Sequence, residues 1–247
     1  MRQLFDEYVS DQAAPGRPPD FVSDPLRVAA VAEAMRAHQV INLCGLSGSG
    51  KTYAAIEYVN AHSAAYAAVL WLNGIDLEGV TDLRAVPIQR LGVRLNLAYQ
   101  LKDHPCFLVI DSYEQEFASL ATLLNGKLHS ETRVLITSQQ RAPNFPNCEL
   151  PELSDQAVTS LLLIGPRPPS SNEIAQIIET AGRHPLVLAM LRDLVRETPH
   201  ITWPILIEDI RDNLGVRMPR FDGHELGPKK GLNDDKEEGS RSNAPAV

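Results

Sequence analysis

The stretch Gly45-Leu46-Ser47-Gly48-Ser49-Gly50-Lys51-Thr52 fits the pattern G-x-x-x-x-G-K-[ST]. It follows an apolar run, Val40-Ile41-Asn42-Leu43-Cys44, and precedes a helix-like run, Tyr53-Ala54-Ala55-Ile56-Glu57-Tyr58-Val59. A strand, a glycine-rich loop and a helix in that order form a phosphate site. The glycines let the backbone curl its N–H groups toward an anion, and the helix adds the positive end of its dipole. Lys51 is expected to reach the β- and γ-phosphates, and the Thr52 hydroxyl to ligate Mg²⁺. The expected nucleotide-binding set is therefore residues 45–52 with Tyr53 directly after them.

The rest of the chain alternates. A proline-rich lead-in (residues 1–20, with a short helix possible over 1–10) gives way to Asp24-Pro25, which reads as an N-cap and first helical residue. The helix that follows, over 26–37, takes Leu26, Val28, Ala29, Val31, Ala32 and Met35 as its apolar face. Apolar runs at 67–72, 105–111 and 132–138 read as buried strands, and Cys148-Glu149-Leu150 as a short fifth. Between them, 75–84 reads as a loop, 87–102 as a helix opened by Pro87, and 114–124 as another helix. This predicts an α/β domain over 21–151, a parallel five-stranded sheet of the P-loop NTPase kind flanked by helices. After Leu153 only helical patterns occur (from Ser154, Ser171, Pro185 and Thr202), so 152–215 is expected to be a small all-α domain. Residues 216–247 carry too few apolar side chains to pack and read as a disordered tail. No internal repeat is present.

At 247 residues and a formal charge of -8, the chain has no general attraction for nucleic acid or anionic lipid. A local basic patch around Arg84, Arg90 and Arg94 is the one feature that would suit nucleic acid. No apolar run is long enough to span a bilayer, and the start lacks a signal-peptide core. Three cysteines without metal-like spacing fit a reducing, cytoplasmic setting, with Cys44 and Cys106 buried and Cys148 either half-exposed or buried.

A nucleotide site also needs a metal-side carboxylate and a reporter of the γ-phosphate. Phe107-Leu108-Val109-Ile110-Asp111 is an apolar strand ending on an acid, which makes Asp111 the second expected Mg²⁺ contact beside Thr52. The next position, where a water-orienting acid would stand, is Ser112. Glu114 serves instead if the chain turns back; otherwise it starts the next helix as an N-terminal acid. Thr137, Ser138 and Gln139 either report on the γ-phosphate or are ordinary strand-end polarity. Arg141 either swings toward the phosphates or is a solvated loop charge. His184, before Pro185, reads as a cap or surface residue.

Taken in order, these markers resemble the NB-ARC type of STAND nucleotide switches, found in apoptosome scaffolds, plant disease-resistance receptors and bacterial defence and regulatory proteins. The resemblance covers residues 20–213. Residues 45–52 look like the family's Walker A loop and 107–111 like its Walker B strand. Arg133-Val134-Leu135-Ile136-Thr137-Ser138-Gln139 resembles the sensor strand R-V-L-I-T-T-R, and Leu150-Pro151-Glu152-Leu153-Ser154 the L-x-x-L-s approach to the helical domain. Gly182-Arg183-His184-Pro185-Leu186-Val187-Leu188 is similar to G-L-P-L-A-L, and Trp203 with Leu206 and Ile210 to the W-x-x-x-L segment.

The resemblance implies that the sensor strand lies between the other two, and that ATP or ADP with Mg²⁺ lies between the sheet and helical domains. Pro185 would then pack on the nucleotide, and Phe21 and Val22 would touch adenine. Three departures stand out: Ser23-Asp24-Pro25 replaces the usual G-R-E, Ser112 the second acid, and Gln139 the sensor arginine. The last two fall on γ-phosphate chemistry and not on diphosphate binding, so tight binding with slow or absent hydrolysis is expected. The family's effector domain, winged helix and repeats have no counterpart here. That reads either as a fragment of a longer protein or as a minimal switch acting on a partner or assembling with itself. The competing reading is a turning-over P-loop ATPase or phosphotransferase with Glu114 as base. A third, a degenerate interaction domain, conflicts with the intact Lys51-Thr52 pair.

Overall fold

The computed structural model describes residues 15–90 and 93–214. The short helix expected over 1–10 and the tail at 216–247 lie outside them. Five parallel strands, β1 (Val40–Cys44), β2 (Ala68–Asn73), β5 (Cys106–Asp111), β6 (Arg133–Ser138) and β7 (Asn147–Glu149), form one sheet in the order β2-β5-β6-β1-β7. The sensor-like strand β6 thus lies between β1 and β5, as expected. Each central strand alternates two apolar faces. Leu70, Leu108, Ile110, Val134 and Ile136 belong to one core; Trp71, Phe107, Val109 and Leu135 belong to the other.

Helices α1 (Pro25–Ala37) and α2 (Lys51–His62) cover the second face, burying Val31, Met35, Ala55 and Val59 against Ile41 and Leu43. Asp24 caps α1 by accepting the Leu26 N–H at 3.2 Å, with Pro25 in the first turn. The expected apolar face is rotated. Leu26 is exposed, and the buried stripe is Arg27, Val31 and Met35 at i, i+4, i+8.

The first face is covered by α4 (Phe117–Leu124), by α3 (Leu97–Asp103) and by a hairpin of β3 (Pro87–Arg90) and β4 (Val93–Asn96). Here the expected helix over 87–102 is wrong. Ile88 and Leu95 are seven apart, a spacing that puts them on one helix face. The same spacing also suits a pair on adjacent antiparallel strands, and the register pairs Ile88 with Leu95. Asn96 then caps the short helix, accepting the Tyr99 N–H at 3.3 Å. The loop expected over 75–84 contains two single 3₁₀ turns, Gly74–Leu77 and Leu83–Ala85.

Four helices follow: α5 (Asp155–Leu162), α6 (Ser171–Ala181), α7 (Pro185–Glu197) and α8 (Trp203–Leu214). Ser154 and Ser170 cap the first two through their side chains. This bundle has its own core of Val158, Ile177, Leu188, Val195, Trp203 and Ile207, which matches the small all-α unit read from the sequence. No helix among the described residues is long and apolar enough to cross a membrane.

Candidate functional site

The glycine-rich loop leaves β1 and enters α2 through three glycines at positive φ: Gly45 (147°), Gly48 (73°) and Gly50 (90°). Gly50 sits in the left-handed region at the start of α2, where no side chain caps the helix. The first-turn amides therefore lack a side-chain acceptor, which is the arrangement an anion completes. Lys51 Nζ donates to the carbonyls of Gly45 and Leu46, both at 2.8 Å. Burial pulls the Lys51 ammonium below its ordinary value, and the nearby Glu114 carboxylate opposes that.

Beside the lysine, two strand ends and the first turn of α2 converge on one carboxylate. Asp111 Oδ1, at the end of β5, accepts from Thr52 Oγ1 at 2.9 Å and from Thr137 Oγ1 of β6 at 2.6 Å. The Thr137 hydroxyl in turn accepts the Ser112 N–H at 2.8 Å. Adjacent parallel strands in register deliver these groups side by side. Thr137 thus holds the acid in place, a role finer than the strand-end reporter read from the sequence.

Ser112 is at φ 58°, the one non-glycine residue at positive φ among the described residues. The turn it makes returns the chain to β6, where Tyr113 N–H donates to Thr137 O at 2.8 Å. Gly74 makes room for it, since a Cβ there would stand 2.4 Å from Ser112 O. Because of this turn Glu114 does not open the following helix, which begins at Phe117. Its Oε1 accepts the Gln139 N–H at 2.8 Å, and its Oε2 lies 3.5 Å from the Ser138 hydroxyl. Of the two readings of Glu114, the turned-back one is the observed one.

These groups line a cavity of about 670 Å³ between the sheet and the helical bundle. That volume falls in the range of small-molecule sites. From the sheet side come Ser47, Gly48, Gly50, Lys51, Thr52 and Tyr53, then Ser112, Glu114, Thr137 and Gln139. Pro185, Leu186 and Arg192 line it from α7, and Val22 from the lead segment. Of the expected site residues, Gly45, Leu46, Ser49, Asp111 and Phe21 are not part of the lining. Leu46 is half exposed, and Asp111 acts from behind Thr52. Phe21 stacks on Tyr53, with ring centroids 5.6 Å apart and planes 2° apart. Arg141 forms an exposed ion pair with Glu149, so it is the solvated loop charge. Arg84 pairs with Asp82.

The bundle presses directly on the loop. A Cβ on Gly48 would stand 2.6 Å from Leu186 Cβ, so only glycine fits there. Arg27 Nη1 donates to Ser49 O at 2.7 Å, and a Cβ on Gly50 would reach within 2.8 Å of the same nitrogen. His184, read as a cap, makes no side-chain cap bond, and its Nδ1 is enclosed without a partner. Burial lowers its pKa, as does the Arg27 charge, against a hydrogen bond with the Ser47 backbone.

Sequence reasoning passed over Arg27 and Arg192. Both are buried (7% and 5% exposed), and both sit within apolar stripes: Arg27-Val31-Met35 and Leu188-Arg192-Val195. A charge at a core position of an amphipathic helix was the available signal.

The donor set suits the expected ligand. Thr52 and Asp111 offer hard oxygen ligands, and Mg²⁺ draws most of its shell from phosphate and water. It needs no all-protein cage, and no cluster of three or more His, Cys, Asp or Glu able to hold a metal occurs among the described residues.

No protein-family model matches the sequence, and no curated protein matches it. Solved structures resemble the fold. The Walker-type ATPase of Pyrococcus abyssi superposes with a TM-score of 0.53 at 10% identity, over 83% of this chain and 75% of that one. A STAND protein with a tetratricopeptide repeat sensor from Pyrococcus horikoshii gives a TM-score of 0.49 at 17% identity, over 81% of this chain. The match spans only 34% of that longer protein. Domain III of the replication initiation protein DnaA from Thermotoga maritima gives 0.49 at 15%, over 79% and 99%. Strand order, phosphate-type loop and the likeness to the Pyrococcus abyssi ATPase agree that the chain has the α/β fold of P-loop ATPases.

Proposed function

We propose that the protein is an ATP- and ADP-binding switch module of the STAND, NB-ARC-like kind, with slow or absent hydrolysis. It acts in the cytoplasm through a protein partner or by self-assembly. The observation that carries this reading is the Thr52–Asp111–Thr137 contact beside the uncapped start of α2, closed over by Leu186 of the bundle. Bound nucleotide would have its phosphates against the amides of the loop and Lys51, with Mg²⁺ held by Thr52 and assisted by Asp111. Such a ligand touches both the sheet and the bundle, which is what lets its phosphate state bias their arrangement. Ser112 and Gln139, at the γ-phosphate end, offer neither an acid beside Asp111 nor a cation. Binding without efficient turnover follows from that chemistry.

The test is chromatography of whatever nucleotide is released when freshly purified protein is denatured. ADP or ATP at near one per chain is expected, and Lys51→Ala should lose it. Protein that is empty and gains no thermal stability from ADP or ATP with Mg²⁺ overturns the reading.

One observation favours a second reading. Glu114 is folded back to the end of β6 and lines the cavity, where it is a candidate base for an attacking water. Turnover above about 1 s⁻¹, within the ordinary range for enzymes, that is lost in Glu114→Gln and kept in Ser112→Ala would make the protein an ATPase.

A further inference from the structure

Residues 15–24 precede the first helix yet join the two bodies that enclose the cavity. Pro18, Pro19, Asp20, Val22 and Asp24 line it. On the sheet side, Phe21 stacks on Tyr53, and Ser23 donates to Glu57, whose other oxygen lies 3.4 Å from the Asp24 N–H. On the bundle side, Val22 packs into the helical core, and Asp24 Oδ2 accepts the Ser154 N–H at 2.9 Å. Asp20 Oδ2 accepts from Arg192 Nη2 at 3.0 Å and lies 3.7 Å from Arg196 Nη1.

The two ends of this strap are unequal. Asp24 is 2% exposed, and its carboxylate accepts two backbone N–H groups from different bodies. Breaking it strands buried donors, so this end is fixed. The Asp20 side chain is 44% exposed and is held by its hydrogen-bonded ion pair with Arg192 and a longer one with Arg196. Its main partner, Arg192, is almost fully enclosed yet keeps Asp193 at 2.9 Å when Asp20 departs. Detachment therefore leaves no isolated buried charge, which is the usual penalty for breaking such a pair. Pro18 and Pro19, with the Phe21 N–H to Pro18 O bond at 3.0 Å, stiffen the chain around Asp20, so the latch end moves as a piece.

We propose that this strap is a gate on the nucleotide cavity, hinged at Asp24 and latched by the Asp20–Arg192 ion pair, and that unlatching sets the rate of nucleotide exchange. The proposal rests on the nucleotide-binding reading above. The latch residue acts on passage rather than on contact with the ligand. Releasing it speeds entry and exit together and leaves Kd nearly unchanged. A half-exposed pair of this kind shifts the open fraction by about fivefold.

The test uses the full chain and a fluorescent N-methylanthraniloyl ADP in stopped flow. Asp20→Asn is expected to raise kon and koff about fivefold each, with Kd moving less than twofold, while Asp20→Glu stays close to the parent. High salt should accelerate exchange in the parent and not in Asp20→Asn, because screening acts through the same pair. Thermal unfolding checks that the variant is folded. Unchanged rates in Asp20→Asn overturn the gate. So does a rise in koff alone with a matching loss of affinity, which would make Asp20 a ligand contact. A parent that binds no ADP analogue by fluorescence or thermal shift defeats the nucleotide reading itself, and the gate with it.

Discussion

The two walls of the cavity are built differently. On the sheet side, Thr52 and Thr137 are both tied to Asp111, and Lys51 to the loop carbonyls of Gly45 and Leu46. They stand on residues with no exposed surface at all, among them Ile41, Leu43, Val109 and Leu135. On the bundle side, Leu186 and Met190 of α7 are 47% and 61% exposed, and attachment runs through polar ties at Asp20 and Asp24 and the close approach of Leu186 to Gly48. Precision at the phosphate end comes from close packing, where any displacement opens a void. Adjustability at the other end comes from polar ties that can exchange partners. A site meant to hold one part of a ligand rigidly and report on it with another needs both kinds of wall.

Substitutions on each wall can break that contrast. Leu135→Ala should have the largest effect, about 3 kcal/mol of global stability, because the void lies between two fully buried layers. Hydrogen exchange in α8 should change little until the sheet itself unfolds. Asp24→Ala comes next, at about 2 kcal/mol, from the lost cap and the stranded Ser154 N–H. Here the increase in exchange should concentrate at the starts of α1 and α5, and an even spread would mean that the bodies behave as one.

Gly48→Ala should follow, at about 1 kcal/mol or somewhat more. It places a side chain at φ 73° against Leu186. Amides in the first turn of α7 should exchange faster while those of β6 stay protected. The smallest effect is a pH dependence. Burial, then the Arg27 charge, holds His184 below its ordinary value of 6.5. Below about 6.5 the unfolded chain binds a proton that the folded one resists, so stability is fully present above that pH and declines as pH falls toward the lowered value. His184→Gln should flatten this part of the parent's curve of melting temperature against pH.

What could be read in advance followed the range of each interaction. The four longer strands of the main sheet were legible because each is a largely apolar run, and the phosphate-type loop because its eight residues are contiguous. The 87–102 segment misled because a seven-residue spacing satisfies both a helix face and a cross-strand pair. Glu114 was left between two readings, since the positive φ of Ser112 that decides it has no sequence mark in a serine. Asp20 and Arg192 are 172 positions apart, and neither carries any local signal of the other. Arg192 was detectable only as a charge in an apolar stripe, with no indication of what it meets.

The backward bend at Ser112 also limits how this site could change. A glutamate introduced beside Asp111 would have to occupy left-handed backbone, with its Cβ crowding the next carbonyl, at a cost of about 1–2 kcal/mol. Aspartate and asparagine tolerate that conformation best among side-chain-bearing residues. A paired acid at this position is therefore reached most readily through aspartate, or through a remodelled bend in which Gly74 need no longer be bare.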